Sequence, residues 1–254
     1  MHVLFGKKFL IMNNEEKNIK FVGDIHGHFS KLSFLIRQFD IKNSYIIQVG
    51  DFGVGFHKDN YYKTELSKVD EVLKKRKIEL FVIRGNHDNP EWFKESNHPF
   101  GLDNILLLKD YSELTLNNKH FLFVGGAVSV DRFQRTPYKD FWYDEEFVLK
   151  LEHEFPYRDR VFDVVVTHTR PAVCGAFKGF NNINYYILQD ADLKEDLITE
   201  SNAMDKLWEF TKPKNWFYGH FHESHTIDHE NTKFRCLTID EFYEYEYIRT
   251  GRNF

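Results

Sequence analysis

Short apolar runs that end in clusters of glycine, histidine, aspartate or asparagine are what most constrain the fold of this chain. The clusters are Gly23-Asp24-Ile25-His26-Gly27-His28, Gly50-Asp51-Phe52-Gly53, Arg84-Gly85-Asn86-His87-Asp88, Gly125-Gly126-Ala127, Thr167-His168-Thr169-Arg170-Pro171 and Gly219-His220-Phe221-His222. A β-branched or aromatic run that stops at such a cluster reads as a strand delivering polar residues at its carboxyl end. In α/β proteins ligands gather outside the carboxyl ends of strands, so these loops are expected to converge on one edge. Glycines beside the polar residues let the backbone turn sharply there.

The intervening segments set the element order. Strands are expected at Ile19–Val22, Tyr45–Val49, Leu80–Ile83, Ile105–Leu108, His120–Val124, Val161–Val166, Trp216–Tyr218, Phe234–Thr238 and Tyr243–Ile248. Helices are expected at Ser30–Phe39, Asn60–Lys77, Pro90–Glu95, Asp144–Glu154 and Leu193–Thr211. In the second helix Leu66, Val69, Val72 and Leu73 make one apolar stripe, and Lys74 to Lys77 read as a solvated helix end that suits the dipole. This alternation is that of an α/β protein. No repeat or linker divides the 254 residues, so one domain is expected, with its core at about residues 20–240. The weakly patterned stretch Ala176–Asp192, with Phe177, Phe180, Tyr185 and Tyr186, follows a histidine cluster directly. It is either a loop overhanging the site or a surface connection.

Composition excludes several classes of function. A net charge of −5 argues against a general polyanion binder, which usually carries a basic face, so no extended nucleic-acid surface is expected. No apolar run approaches the roughly 20 residues needed to cross a bilayer. The segment Phe9-Leu10-Ile11-Met12 lacks an adequate apolar core and a small-residue cleavage site, so a cytoplasmic protein is expected. Two cysteines, Cys174 and Cys236, exclude a disulfide framework. Cys174 lies near His168 in sequence and reads as a packed bystander.

With His28 and Asp88 set aside, the clusters offer two carboxylates, one amide oxygen and five imidazoles, more than one metal ion needs and about right for two. Oxygen and imidazole ligands without thiolates suit manganese, iron or zinc. Two divalent ions carry +4, while Asp24 and Asp51 supply −2 and the histidines and Asn86 are neutral. The surplus of +2 favours an anionic substrate and an activated hydroxide, which is the chemistry of phosphate-ester hydrolysis.

The ordered set of motifs resembles the calcineurin-like metallophosphoesterase superfamily over about Lys20 to Asp240. The resemblance implies two mixed β-sheets sandwiched between helices. It implies Asp24, His26 and His222 as ligands of one metal, Asn86, His168 and His220 as ligands of the other, and Asp51 as the bridging carboxylate. His87 matches the histidine that protonates the leaving oxygen. Gly-Asp-Ile-His-Gly and Arg-Gly-Asn-His are most similar to the Ser/Thr protein phosphatase and bacteriophage phosphatase branch, which makes Arg84 the candidate to grip the substrate phosphate. The second motif departs from that branch. Val54 stands in place of the aspartate that supports the acid histidine, Gly55 replaces a phosphate-binding arginine, and Asp88 stands for a glutamate.

The expected activity is therefore metal-dependent hydrolysis of a phosphorylated substrate, a phosphomonoester on protein or a small metabolite. A phosphodiesterase on cyclic nucleotides, dinucleoside polyphosphates or nucleic acid ends is the alternative, and a non-catalytic scaffold on the same fold the remote one. Arg132 and Arg135, in the loop that Gly125-Gly126-Ala127 begins, are further candidates to face substrate. His28 adjoins ligands without matching a ligand position, and Asp88 is expected to orient a loop.

Overall fold

The computed structural model describes residues 16–151, 153–157, 160–175 and 182–245. The chain runs β1 (Asn18–Val22), α1 (Phe29–Gln38), β2 (Ser44–Gln48), α2 (Asp59–Lys75), β3 (Ile78–Val82), β4 (Ile105–Leu107), β5 (Ser112–Leu116) and β6 (Lys119–Val124). It continues through β7 (Val164–Thr167), α3 (Ile183–Gln189), α4 (Leu193–Thr211), β8 (Asn215–Tyr218), β9 (His225–His229), β10 (Thr232–Cys236) and β11 (Phe242–Glu244). One sheet has the order β11-β1-β2-β3-β4 and the other β5-β6-β7-β8-β10-β9. Both are mixed. The central strands β1 to β4 pair parallel, as do β6, β7, β8 and β10, while β11, β5 and β9 pair antiparallel at the edges.

The period-2 alternation of the strands sorts their side chains into separate layers. Ile19, Phe21, Tyr45, Ile47 and Phe81 face Phe121, Phe123, Val164, Val166 and Phe217 between the two sheets. Their neighbours Val22, Ile46, Leu80 and Val82 point the other way, under Leu32 and Ile36 of α1 and Leu66, Val69 and Leu73 of α2. On the far side Leu122, Val124, Val165, Trp216 and Tyr218 pack under Met204, Leu207 and Trp208 of α4. The expected sandwich of two mixed sheets between helices is what the chain forms. Phenylalanine, 26 in all, supplies much of the inter-sheet layer. There the rings of Phe21 and Phe217 stack face to face, with centroids 3.6 Å apart.

Three expectations need correction. First, β5 and β9 were not foreseen as strands. Each is the outer arm of a tight hairpin, and Asn117-Asn118, both with positive φ (48° and 59°), is a recognisable signal for the turn between β5 and β6. Second, residues 144–154 form no helix where they are described. The carbonyls of Asp144, Glu145 and Glu146 accept hydrogen bonds from Arg84, and that of Glu145 also from the Ala127 N–H, so a helix cannot use them. Third, Pro90–Phe93 is a short 3-10 turn, and α3 occupies part of the stretch left open between loop and connection. Phe177 and Phe180, and the end of the last expected strand at residues 246–248, lie outside the described residues, as does the segment at residues 9–12. Among the described residues no helix is long and apolar enough to cross a membrane.

Phe217 is the inter-sheet residue just before the Gly219–His222 cluster, so the layer and the loop are mechanically linked. Phe217→Ala is expected to cost about 3–5 kcal/mol, the usual range for a buried phenylalanine. Urea denaturation of the variant measures it, and a loss under about 1 kcal/mol would show that the two sheets repack around the gap.

Candidate metal centre

The loops after β1, β2, β3, β6, β7 and β8 meet at one edge of the sandwich, and they carry the six clusters. Their backbone is strained where the side chains converge. His26, Asp51, His220 and His222 all lie in the left-handed region, with φ of 47°, 57°, 69° and 52°. Such a residue costs of order 1–3 kcal/mol unless its surroundings hold it. The Asp51 carbonyl does so for the first loop, accepting the N–H groups of Ile25 (3.0 Å) and His26 (2.8 Å). Gly85 and Gly219 serve by close approach. A Cβ at Gly85 would collide with the Asp51 backbone and carboxylate, and one at Gly219 with the Asp24 carboxylate.

Asp24, His26, Asp51 and His222 bring four potential ligand atoms within 4.8 Å of one another. Asp51, His168 and His220 form a second such group, so Asp51 belongs to both. Asn86 joins the second through its Oδ1, 3.1 Å from His168 Nε2. Asp24, Asp51, Asn86 and His168 are buried, while His222 stays partly open to solvent.

The orientation of these groups tests whether a cation fits. His168 Nδ1 lies 2.8 Å from the Val49 carbonyl, which can only accept, so that nitrogen carries a proton. Its Nε2 then faces two further acceptors, Asp51 Oδ1 and Asn86 Oδ1, each at 3.1 Å. Asn86 is fixed in this sense because its amide N–H donates to Ser129 Oγ at 2.9 Å, and Ser129 in turn donates to Glu145. Three acceptors aimed at one point repel unless a positive charge lies among them. Burial pulls the His168 pKa down, but the Asp51 carboxylate lifts it to about 9, so a proton takes that place in the protein alone. A divalent cation satisfies the same lone pairs. On the other side, His26 Nε2 and His222 Nε2 approach to 3.1 Å, with Asp24 Oδ2 3.2 Å from His222 Nε2. The donor set fits a metal pair.

A calcineurin-like phosphoesterase family matches residues 17–224. The chain belongs to this family. The TT1561 protein of Thermus thermophilus is similar in fold, with a TM-score of 0.53 at 10% identity over 89% of this chain and 90% of that one. The phosphopantetheinyl hydrolase of Mycobacterium tuberculosis gives a TM-score of 0.48 at 14% identity, with the same shares of both chains covered. No curated protein matches the sequence.

Around the candidate centre the arginines fall into different places. Arg84, expected to grip phosphate, is buried with all five N–H donors engaged. Its Nε and one Nη bond Asp110 at 3.0 and 2.8 Å, and the remaining donors reach the carbonyls of Asp144 (3.2 Å), Glu145 (2.6 Å) and Glu146 (2.9 Å). None is left for a substrate, so Arg84 is a structural clamp between β3 and the 144–146 segment. Arg132 is held by the carboxylates of Asp190, Asp196 and Glu146 and anchors its loop to the start of α4. Of the three candidates, Arg135 is the one that reaches the centre, its Nη2 lying 2.5 Å from His87 Nε2 and 2.6 Å from Asp131. His87 stands beside His26, ring centroids 4.9 Å apart, and its backbone N–H donates to Asp51 Oδ1 at 2.7 Å. Burial, with the charges on Arg135 and His26, pushes its pKa down to about 4 against the pull of Asp51.

Asp88 orients a loop, as its position suggested. Its buried carboxylate accepts the N–H groups of Phe52, Gly53, Val54 and Gly85, binding the second cluster to the third. His28 is exposed at the rim, and Cys174 packs in the outer core under α4. Sequence reasoning missed Ser129, Glu145 and Gln48. Gln48 is buried and bonds Gly50 and the Gly23 carbonyl, joining the ends of β1 and β2. A buried glutamine in an apolar strand was the available signal for it.

Removing the hydroxyl that orients Asn86 tests this arrangement. Ser129→Ala is expected to weaken binding of the second divalent ion roughly 10–100-fold, the usual effect of losing a partner behind a ligand. Equilibrium dialysis with elemental analysis measures it; unchanged affinity for both ions would separate Asn86 from the metal.

Proposed function

We propose that this phosphoesterase is a metal-dependent phosphomonoesterase. Asp24, His26 and His222 would hold one ion and Asn86, His168 and His220 the other, with Asp51 shared between the two groups. Oxygen and imidazole donors suit manganese, iron or zinc. Two divalent cations held there would supply Lewis acidity and a water of lowered pKa.

The observation that carries the monoester reading is Arg135, whose guanidinium sits against His87 beside the centre. A monoester presents a dianion and benefits from positive charge beyond the metals. With Arg84 consumed by the scaffold and Gly55 in place of a second arginine, Arg135 is the guanidinium placed to provide it. As phosphate arrives, Arg135 turns its N–H donors from His87 Nε2 to the phosphate oxygens. The released His87, now next to the negative charge of the substrate, takes up a proton and passes it to the departing oxygen.

Two measurements test these roles. His87→Asn is expected to lose roughly 10²–10⁴-fold on an alkyl phosphate and far less on p-nitrophenyl phosphate, whose leaving group hardly needs a proton. Equal losses on both would remove His87 from acid catalysis. Arg135→Lys keeps the charge but not the fork, so kcat/KM for p-nitrophenyl phosphate should fall at least about tenfold, with a clearly smaller loss on bis-p-nitrophenyl phosphate. A parallel fall on both esters would take Arg135 out of dianion recognition. A wild-type preference for the diester would make the protein a phosphodiesterase instead.

A further inference from the structure

A groove of about 330 Å³ opens beside the candidate centre and shares His26 and His87 with it. Its remaining walls are Gly27, His28 and Gly53 together with three rings, Phe56, His57 and Tyr61. We propose that this groove receives the leaving group of the substrate as a nucleobase stacked on Tyr61 and His57, making the substrate a nucleoside phosphate. The proposal rests on the phosphoesterase reading and adds the substrate class.

Three observations support it. The first is the chemistry of the walls. None of the lining residues is a lysine, arginine, aspartate or glutamate, so the groove suits an uncharged planar group better than a second phosphate or an acidic peptide.

The second is the exposure of the rings. Tyr61 is 41% exposed, and its ring lies 4.4 Å from that of His57, tilted by 55°. Apolar ring faces left open to water beside a reaction centre are a stacking surface, and a base placed on such a ring gains roughly fivefold to hundredfold in binding.

The third is rigidity. The hydroxyl of fully buried Tyr62 accepts the N–H groups of Phe56 (2.8 Å) and His57 (3.1 Å) and donates to the Gly53 carbonyl (3.2 Å). One hydroxyl thus fixes the loop that presents the rings. Phe56 is further wedged edge-on against Trp142, centroids 5.2 Å apart. A surface held before the ligand arrives loses little entropy on binding. His87, the group proposed to protonate the departing oxygen, lines the groove, so the leaving group lies on that side.

The test compares adenosine 5′-monophosphate with ribose 5-phosphate, which differ only in the base, using the manganese-loaded protein. The wild type is expected to favour the nucleotide at least tenfold in kcat/KM. Tyr61→Ala should remove most of that preference, and Tyr61→Phe, which keeps the ring face, should retain it. Equal kcat/KM for the two esters in the wild type overturns the proposal, as does an equal loss on both in Tyr61→Ala. Faster turnover of a phosphoserine peptide than of the nucleotide overturns it too.

Failure of the parent reading looks different, because then no ester, p-nitrophenyl phosphate included, is hydrolysed. Equilibrium dialysis of adenosine alone judges the groove in that case. Binding that weakens at least fivefold in Tyr61→Ala supports it, and no binding to the wild type overturns it.

Discussion

Lone pairs and carboxylates crowded into one small, partly buried volume repel one another, and much of this fold serves to hold them there. Asp24, Asp51, Asn86 and His168 are nearly inaccessible to water, which raises the electrostatic cost of placing them side by side. The two sheets meet that cost jointly. His168 comes from the second sheet and donates to the Val49 carbonyl of the first. Asp24 comes from the first and accepts the His220 N–H of the second at 3.1 Å. Neither half of the donor set can be displaced without moving the sheet interface, where Phe21 and Phe217 stack.

The supporting groups divide into those that shape backbone and those that aim side chains. Asp88, Gln48 and Arg84 belong to the first kind, each satisfying several main-chain groups in loops that would otherwise bury them unpaired. Ser129, Glu145 and the Val49 carbonyl belong to the second and decide which atom of Asn86 and His168 faces the centre. Glu200 connects the two sets. From α4 it accepts both the Val128 N–H, next to Ser129, and the Thr169 hydroxyl, next to His168.

The arginines show how a motif can match while its side chain is used for something else. Arg84 precedes Gly-Asn-His, the place expected of a phosphate-gripping arginine, yet its guanidinium closes a clamp on Asp110 and three carbonyls. That clamp also explains why residues 144–154, where they are described, do not form the helix expected of them. Arg135 is nominated in the sequence only by the loop that Gly125-Gly126-Ala127 begins and lies far from His87, yet its guanidinium meets the imidazole.

What the sequence determined by itself was local and periodic. Alternating apolar residues placed the central strands, an apolar stripe placed α2, and α4 was legible end to end because its pattern runs five turns. The grouping of Asp24, His26 and His222 apart from Asn86, His168 and His220 was legible only through the ordered motifs and their resemblance to a family. The tertiary structure decided what depends on partners distant in sequence. It decided the use of Arg84, because a guanidinium goes to whichever acceptors surround it. It decided the edge strands β5 and β9, whose short half-polar runs gain their pairing only from β6 and β10. It also decided the aim of Asn86 and His168, because an amide or imidazole ring turns freely until a fixed donor or acceptor stops it, and Ser129 and Val49 stand 43 and 119 residues away in the chain.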